Sequence, residues 1–477
     1  MGRKRGKNGF GYYFWRVLVL AALAAACVYI YRPQIEAWQQ QQQKLPIDRI
    51  LAQSVLKNRQ FASKVQEISA GNLKAYLLEE HSNPIVSIDF SFQNAGTAAE
   101  PENRLGVSRM LTHMLTAGAG KWSEQQFKDL CAEYGIKISF GSSADDFSGV
   151  LQFPSKHRKM ATALFKAALN QPHIGEEYLE VVKQQTLMQL KLQQEHPESV
   201  LNNKFKEFIF AGHPYERNGL GNKQSVATMT TDDLQDFRQR YLAQDNLLVG
   251  IAGDVSADEA KTLLKELFGG LPEKSAGEKL SETDIMTEDA EYPIERKNPQ
   301  AITRFAAQGT FRNNIDFYPL YMANYIFGEA GLNARLNKEI REKEGLTYGI
   351  YTYLSISDAA ALISGGFSST PENFAKAKQI LLEQWQKLGQ EGVSEEELAQ
   401  AKESLIASYH LRFAAIDEIA SMLTAMQKYK LGADFLDKRN GYIAEVSLTE
   451  VNAAAKKYFN TLPDFVYIGA GKTEGKK

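Results

Sequence analysis

Residues 104–118 read RLGVSRMLTHMLTAG, and this stretch decides the fold assignment. Arg109 and His113 are four residues apart, so a helix would present both side chains on one face. Two histidines at this spacing can hold one metal ion, and a glutamate directly before the second can polarise a metal-bound water. The stretch keeps the spacing of such a metal site but lacks its ligand and base. Arg109 carries a permanent positive charge, and the hydroxyl of Thr112 is not a useful base.

This stretch resembles the zinc helix of the pitrilysin/insulinase metallopeptidases, which carries the inverted motif His-x-x-Glu-His. In that register only His113 keeps the family residue. The family's third ligand is a glutamate about 76 residues after the second histidine, where this chain has Gln189, a poor zinc ligand. Since two ligands and the general base are changed, we expect this chain to bind no zinc, with His113 as a remnant that is packed or at the surface.

The flanking segments make the resemblance specific. Residues 84–92 alternate like a strand and lead into QNAGTAAEP, which is similar to the family's loop before the zinc helix. HPY at 213–215 and the run from GEAGLNARL to IREKEGLTYG at 328–349 match further family motifs. The matches cover about residues 65–472, so the chain is identified as a half-length member of the mitochondrial-processing-peptidase-like branch, with a degenerate zinc motif.

The sequence also indicates an internal repeat. Leu179 and Leu398 lie near the starts of two similar predicted helices, 219 residues apart, and Lys183 and Lys402 repeat the same offset. Strand-like segments cluster between long helices, which predicts an α+β fold of two tandem homologous domains, each with a mainly antiparallel sheet. Capping boxes mark four helix starts, at Ser123, Ser256, Ser394 and Ser447.

The N-terminus predicts a membrane anchor. Basic residues at positions 3–7 precede an uncharged run at 17–31, and counting from Phe10 gives 22 residues, enough to span a bilayer if Arg16 snorkels. The charge bias places the N-terminus in the cytoplasm. In a bacterium this means a single-pass inner-membrane protein with a periplasmic body. A cleaved signal peptide, or lipoprotein processing at Cys27, remains an alternative.

We therefore predict six segments along the chain. They are a basic cytoplasmic tail (1–9), the transmembrane anchor (10–31), a glutamine-containing tether (32–59), an N-terminal peptidase-like domain with the degenerate site (60–272), a linker (273–298) and a C-terminal peptidase-like domain (299–472). The net charge of −2 gives no sign of nucleic-acid binding, and two cysteines, one of them inside the anchor, provide no disulfide framework.

The family resemblance implies a substrate-binding role for the second half. In the family an arginine and a tyrosine seven residues apart hold the scissile carbonyl and the developing oxyanion. Arg341 and Tyr348 have this spacing in the matching motif. The alternative is structural, with Arg341 in a salt bridge and Tyr348 packed. The resemblance also implies that substrate adds as a strand at residues 136–140, including Ser139, although Ser139-Phe140 replaces the family's Asn-Ala.

Three functions follow from the resemblance. The favoured one is a non-catalytic subunit of a heterodimeric zinc peptidase, whose partner carries an intact His-x-x-Glu-His motif and the zinc. Half-length members of this family dimerise into a hollow chamber around a peptide substrate. The alternatives are an envelope peptide-binding or scaffold protein without an active partner, and a peptidase active by itself, which Arg109 and Gln189 disfavour.

Overall fold

The structure, a computed structural model, describes residues 64–285 and 289–470. The tail, the predicted anchor and the tether lie outside the described residues. Among the residues that are described, no helix has the length and apolar character needed to cross a membrane.

The first half builds a six-stranded sheet in the order β1-β2-β6-β3-β5-β4. Neighbouring strands are antiparallel except β2 and β6, which run parallel. The strands are β1 Gln66–Ala70, β2 Leu73–Glu79, β3 Ile85–Phe92, β4 Lys137–Ser142, β5 Phe147–Pro154 and β6 Leu247–Gly253.

The second half repeats this topology in five strands, in the order β7-β11-β8-β10-β9. The parallel pair is again the one between the early strand β7 and the last strand β11. The strands are β7 Glu291–Ile294, β8 Ala301–Gln308, β9 Gly349–Ile356, β10 Ala361–Ser369 and β11 Asp464–Ile468. The predicted α+β fold with two homologous domains is confirmed, whereas the stretch 273–298 is more than a connection, because it contributes β7.

Fourteen α-helices connect and cover the two sheets within the described residues. All four predicted capping boxes begin helices. The helices are α1 Val107–Met114, α2 Glu124–Tyr134, α3 Arg158–Asn170, α4 Glu176–Glu195, α5 Pro197–Ile209, α6 Lys223–Thr228, α7 Thr231–Tyr241, α8 Ala257–Phe268, α9 Phe317–Asn324, α10 Pro371–Glu391, α11 Glu395–Ala407, α12 Ile416–Lys428, α13 Phe435–Glu445 and α14 Leu448–Tyr458.

A phenylalanine-glycine pair recurs at the centre of each sheet. Phe90 on β3 lies opposite Gly149 on β5, and a Cβ on that glycine would come 2.4 Å from the Phe90 ring. Phe305 on β8 and Gly365 on β10 repeat the arrangement at 2.3 Å. Each ring therefore covers a strand position that must lack a side chain, which shows the repeat at the level of core packing.

Each half also covers the other half's sheet with one helix. Helix α5 of the first half packs on β8 and β11, where Leu201 joins Val466 and Ile468 in an apolar cluster. Helix α12 packs on β2, β3 and β6 of the first sheet, and the two helices are related by the same 219-residue offset. Both faces of the central strands are buried in this way, which explains near-continuous apolar strands such as LLVGIAG in β6.

The contact between α12 and the first sheet is close enough to require glycine. A Cβ on Gly250 of β6 would lie 2.1 Å from the carbonyl oxygen of Ala420. Two polar side chains of α12 also bond to strand backbone: Thr424 donates to the carbonyl of Asp89 at 3.1 Å, and Gln427 donates to the carbonyl of Val249 at 2.7 Å. The two halves are therefore joined by backbone-level contacts in addition to apolar packing.

A buried ionic cluster joins the same two halves where α12 ends. Lys428 contacts Asp146 and lies 3.1 Å from Asp358 and 3.9 Å from Asp145. The aspartates come from the β4–β5 and β9–β10 turns, which are equivalent turns of the two sheets. Tyr215 of the HPY motif donates to Asp145 and accepts from the Ala359 N–H at 2.9 Å. Through Tyr215, the HPY motif therefore helps to hold the two halves together.

Removing the cation of this cluster should weaken the protein strongly. We expect Lys428→Met to lower the free energy of unfolding by about 3 kcal/mol, because it leaves buried carboxylates unpaired. Lys438→Met is the matched control, since it removes an exposed pair with Asp434 and should leave the free energy of unfolding almost unchanged. Urea denaturation of both variants at neutral pH measures the difference.

The pH dependence of the stability loss in Lys428→Met distinguishes loss of a buried charge from simple loss of packing. Burial already raises the pKa of Asp145 and Asp146 in the intact cluster. A raised carboxyl pKa favours the folded state at low pH, so the deficit of Lys428→Met should shrink as the pH falls and these groups take up protons. An equal deficit at pH 5 and pH 8 would contradict the role of the buried charges.

Candidate functional site

Helix α1 carries the degenerate motif and is almost entirely buried. It packs against β4, α4 and α7. Its exposed residues are Arg109 and His113, which are one turn apart on the same face. The buried positions are Val107, Ser108, Met110, Leu111, Thr112 and Met114. The packing that positions the helix therefore depends on apolar residues around the motif and needs no metal.

A buried glutamate holds the start of this helix. Glu100 accepts hydrogen bonds from the N–H groups of Gly106 at 2.6 Å and Ser108 at 2.8 Å, and from the Ser108 hydroxyl at 2.5 Å. Burial raises the pKa of Glu100 to about 7, although these donors oppose the shift. Sequence reasoning missed this residue. The available signal was weak, because Glu100 lies in the loop seven residues before Val107, although unpaired N–H groups at a helix start favour negative charge.

The structure shows the surroundings of Thr112, His113 and Gln189 at the motif positions. The buried hydroxyl of Thr112 donates to the carbonyl of Arg109 at 2.7 Å, so it is already engaged within the helix. Partial burial and then the positive charge of Arg109 lower the pKa of His113. Gln189 is exposed on α4, which packs against α1. The structure thus brings the four motif positions to neighbouring helices.

The donor set does not fit zinc. Arg109 is a cation, Thr112 supplies a neutral hydroxyl and Gln189 a neutral amide, which leaves the imidazole of His113 as the single good ligand. Across residues 64–285 and 289–470, no group of three or more histidine, cysteine, aspartate or glutamate side chains could hold a metal ion. The four motif positions therefore offer one good zinc ligand and no side chain suited to act as a base toward water.

Arg341 and Tyr348 lie in the second half, next to edge strand β9. Arg341 is exposed on the π-helical segment Asn337–Lys343, and Tyr348 is 79% exposed directly before β9. Within the described residues, neither side chain forms a hydrogen bond or an ion pair. The described residues thus show neither a salt bridge for Arg341 nor packing for Tyr348, the two features that the structural alternative requires.

Arg335, in the same motif, has a structural role. Its guanidinium forms two bonds of 2.6 Å to the carboxylate of Glu397 and donates to the carbonyl of Gly392 at 2.9 Å. Although partial burial opposes the shift, Arg335 and the Ser394 N–H lower the pKa of Glu397 to about 2. Arg335 thus fastens the motif to α11, whereas Arg341 is left unpaired among the described residues.

Ser139 lies on an edge strand, as the substrate-binding prediction requires. Strand β4 is the last in the first sheet, and β5 is its strand partner. Ser139 is exposed near its centre, and a hydrogen bond of 2.8 Å between the hydroxyls of Ser108 and Ser142 ties the strand's end to α1. The free edge and the motif helix are therefore neighbours.

Family models match most of the globular part of the chain. The model described as insulinase (peptidase family M16) matches residues 75–223, and the one described as peptidase M16 inactive domain matches residues 228–405. Together they cover more than half of the 477 residues. The chain belongs to the M16 peptidase family. The family resemblance drawn from the sequence is confirmed.

Individual relatives agree with this membership. The chain is 26% identical to the non-peptidase homolog YmxG of Helicobacter pylori over 82% of this chain and 90% of that protein. It is 20% identical to the uncharacterized zinc protease YmxG of Bacillus subtilis over 76% and 88%, respectively. A peptidase M16 inactive domain from Pseudomonas fluorescens has the same fold, with a TM-score of 0.80 at 23% identity over 87% of this chain and 99% of that one. The M16 fold with a degenerate motif fits a non-catalytic member of the family.

Restoring the missing ligands should create a zinc site. We expect the wild-type chain to retain no stoichiometric zinc after dialysis, and Arg109→His combined with Gln189→Glu to retain about one ion, because three good ligands then lie on two packed helices. Plasma mass spectrometry of the purified proteins measures the metal. Gln189→Glu alone is the control and should stay metal-free. About one zinc in the wild-type chain would contradict our account of the site.

Proposed function

We propose that this chain is the non-catalytic subunit of a heterodimeric M16 zinc peptidase. Its partner would be a homologue with an intact His-x-x-Glu-His motif, which brings the zinc and the general base. The proposal rests on one contrast: the metal-binding positions are lost, whereas Arg341 and Tyr348 are exposed and unpaired within the described part of the chain.

The two kept side chains suit the electrostatic part of peptide hydrolysis. A guanidinium and a phenol both donate hydrogen bonds to oxygen. Donors aimed at the oxygen where negative charge develops lower the barrier most when they are preorganised. Arg341 lies on a short helical segment, and Tyr348 directly precedes β9, so both are attached to regular elements. In the proposed heterodimer they would hold the substrate carbonyl while the partner's zinc activates water.

The free edge of the first sheet supports a second contribution. Peptides add to exposed strand edges through main-chain hydrogen bonds, which need little sequence specificity. Strand β4 offers such an edge, with exposed Ser139 near its centre. We place this assembly in the bacterial periplasm, tethered through the predicted anchor at residues 10–31.

A peptide-binding protein without a catalytic partner is the second candidate. The name of one relative, a non-peptidase homolog in Helicobacter pylori, favours it. It would use the same edge strand and the same exposed residues. A pull-down of the full-length chain from its native envelope, followed by mass spectrometry, distinguishes the two. Recovery of a stoichiometric homologue with an intact zinc motif supports the heterodimer, whereas recovery of this chain alone supports the second candidate.

The clamping role predicts selective loss of activity in the reconstituted complex. We expect Arg341→Ala and Tyr348→Phe each to lower the partner's kcat for peptide hydrolysis by roughly 100-fold without dissociating the complex, since one oxyanion donor is typically worth this much. Lys343→Ala and Tyr353→Phe are matched controls, because both residues are exposed near the same positions. Full activity of both test variants in an intact complex would refute the clamping role.

A further inference from the structure

We infer that the exposed face of α1 is a carboxylate-binding site, in which the guanidinium of Arg109 engages a carboxylate of a peptide bound along β4. The inference rests on the proposed function in taking a peptide as the ligand. It adds a substrate class, namely peptides that present a carboxylate beside the edge strand.

The geometry presents Arg109 to a ligand. Six of the eight positions of α1 are buried, so the helix cannot rotate to hide its remaining two side chains. Arg109 and His113 are both exposed and lie one turn apart. An arginine on a packed helix is a better recognition group than one on a loop, because its backbone is already held and loses less motion on binding.

The charges around α1 leave Arg109 without a partner in the described structure. Glu100 is used at the start of the helix, where it accepts from Gly106 and Ser108. Asp233 and Asp236 on α7 pair with Arg104, at 2.9 and 3.0 Å. Within the described residues Arg109 itself forms no ion pair or side-chain hydrogen bond. After burial, the positive charge of Arg109 is the second cause that lowers the pKa of the neighbouring His113.

The neighbouring surface is suited to a peptide rather than to a small ion. Helix α4, which packs on α1, exposes Met188 and Leu192 together with the amide of Gln189. On another side α1 packs against β4, the free sheet edge. A strand added to that edge would pass beside α1 with apolar surface nearby. Arginine pairs with carboxylates through two parallel hydrogen bonds, which selects this group over a neutral amide.

The substitution of Arg109 therefore does more than remove a zinc ligand. It reverses the preferred charge of the position, because a fixed guanidinium repels a cation and attracts an anion at the same place. The carboxylate has two possible sources in a peptide, the C-terminus and the side chain of an aspartate or glutamate. Both present the same group, and peptides of matched sequence separate them.

Peptide binding to the full-length chain in detergent tests the inference. The probes are rhodamine-labelled ten-residue peptides rich in valine and threonine, with a free C-terminal acid, with a C-terminal amide, or with the amide and one internal glutamate. Fluorescence anisotropy gives each Kd. We expect at least one carboxylate-bearing peptide to bind about three- to fivefold more tightly than the neutral amide, in the range of an exposed charge pair. The preferred peptide identifies the source of the carboxylate.

The variants assign the preference to Arg109. Arg109→Gln should abolish the preference and Arg109→Lys should keep part of it. Arg158→Gln removes a partly exposed arginine of α3 that pairs with Glu259 and should leave the preference intact. Equal Kd values for acidic and neutral peptides, or a preference that survives Arg109→Gln, would overturn the inference. If the neutral amide still binds in those cases, the proposed strand addition at β4 stands. If no peptide binds, both ideas fail.

Discussion

The structure depends first on the exchange of helices between its two halves. Each sheet has one face covered by its own helices and the other covered by a helix from the opposite half, α12 on the first sheet and α5 on the second. The apolar surface of either half is therefore incomplete without the other. Lys428 and the aspartates around it close the junction, and unpaired carboxylates there would be costly to bury. The two domains form one unit for this physical reason.

This architecture explains how the motif helix keeps its place although its zinc-ligand positions are changed. The motif helix α1 is positioned by six buried side chains and by Glu100 at its start, and none of these interactions involves a metal ligand. Arg109 and His113 point away from this packing. Substitution at the motif therefore changes the chemistry of an exposed face while the helix keeps its place, and a position suited to a cation becomes one suited to an anion.

Two arginines of one motif in the second half differ in their contacts. Arg335 is held by a carboxylate and a carbonyl and thereby fastens the motif to α11. Arg341, only six residues later, has no such partner in the described structure, and Tyr348 beyond it is largely exposed. The first arginine thus holds the motif in place, and the second has no structural partner among the described residues.

The sequence by itself determined the family, the two-fold α+β repeat, the capped helix starts and the loss of the zinc ligands, because each of these depends on residue type and local spacing. It also marked Arg341, Tyr348 and the edge strand, through the resemblance of their motif. Only the tertiary structure decided that β7 belongs to the second sheet, that α5 and α12 cross between halves, and that Glu100, Tyr215 and Lys428 are structural anchors. The hydrogen bonds among these features join residues from 6 to 335 positions apart, and no local pattern records which distant groups meet in a common core.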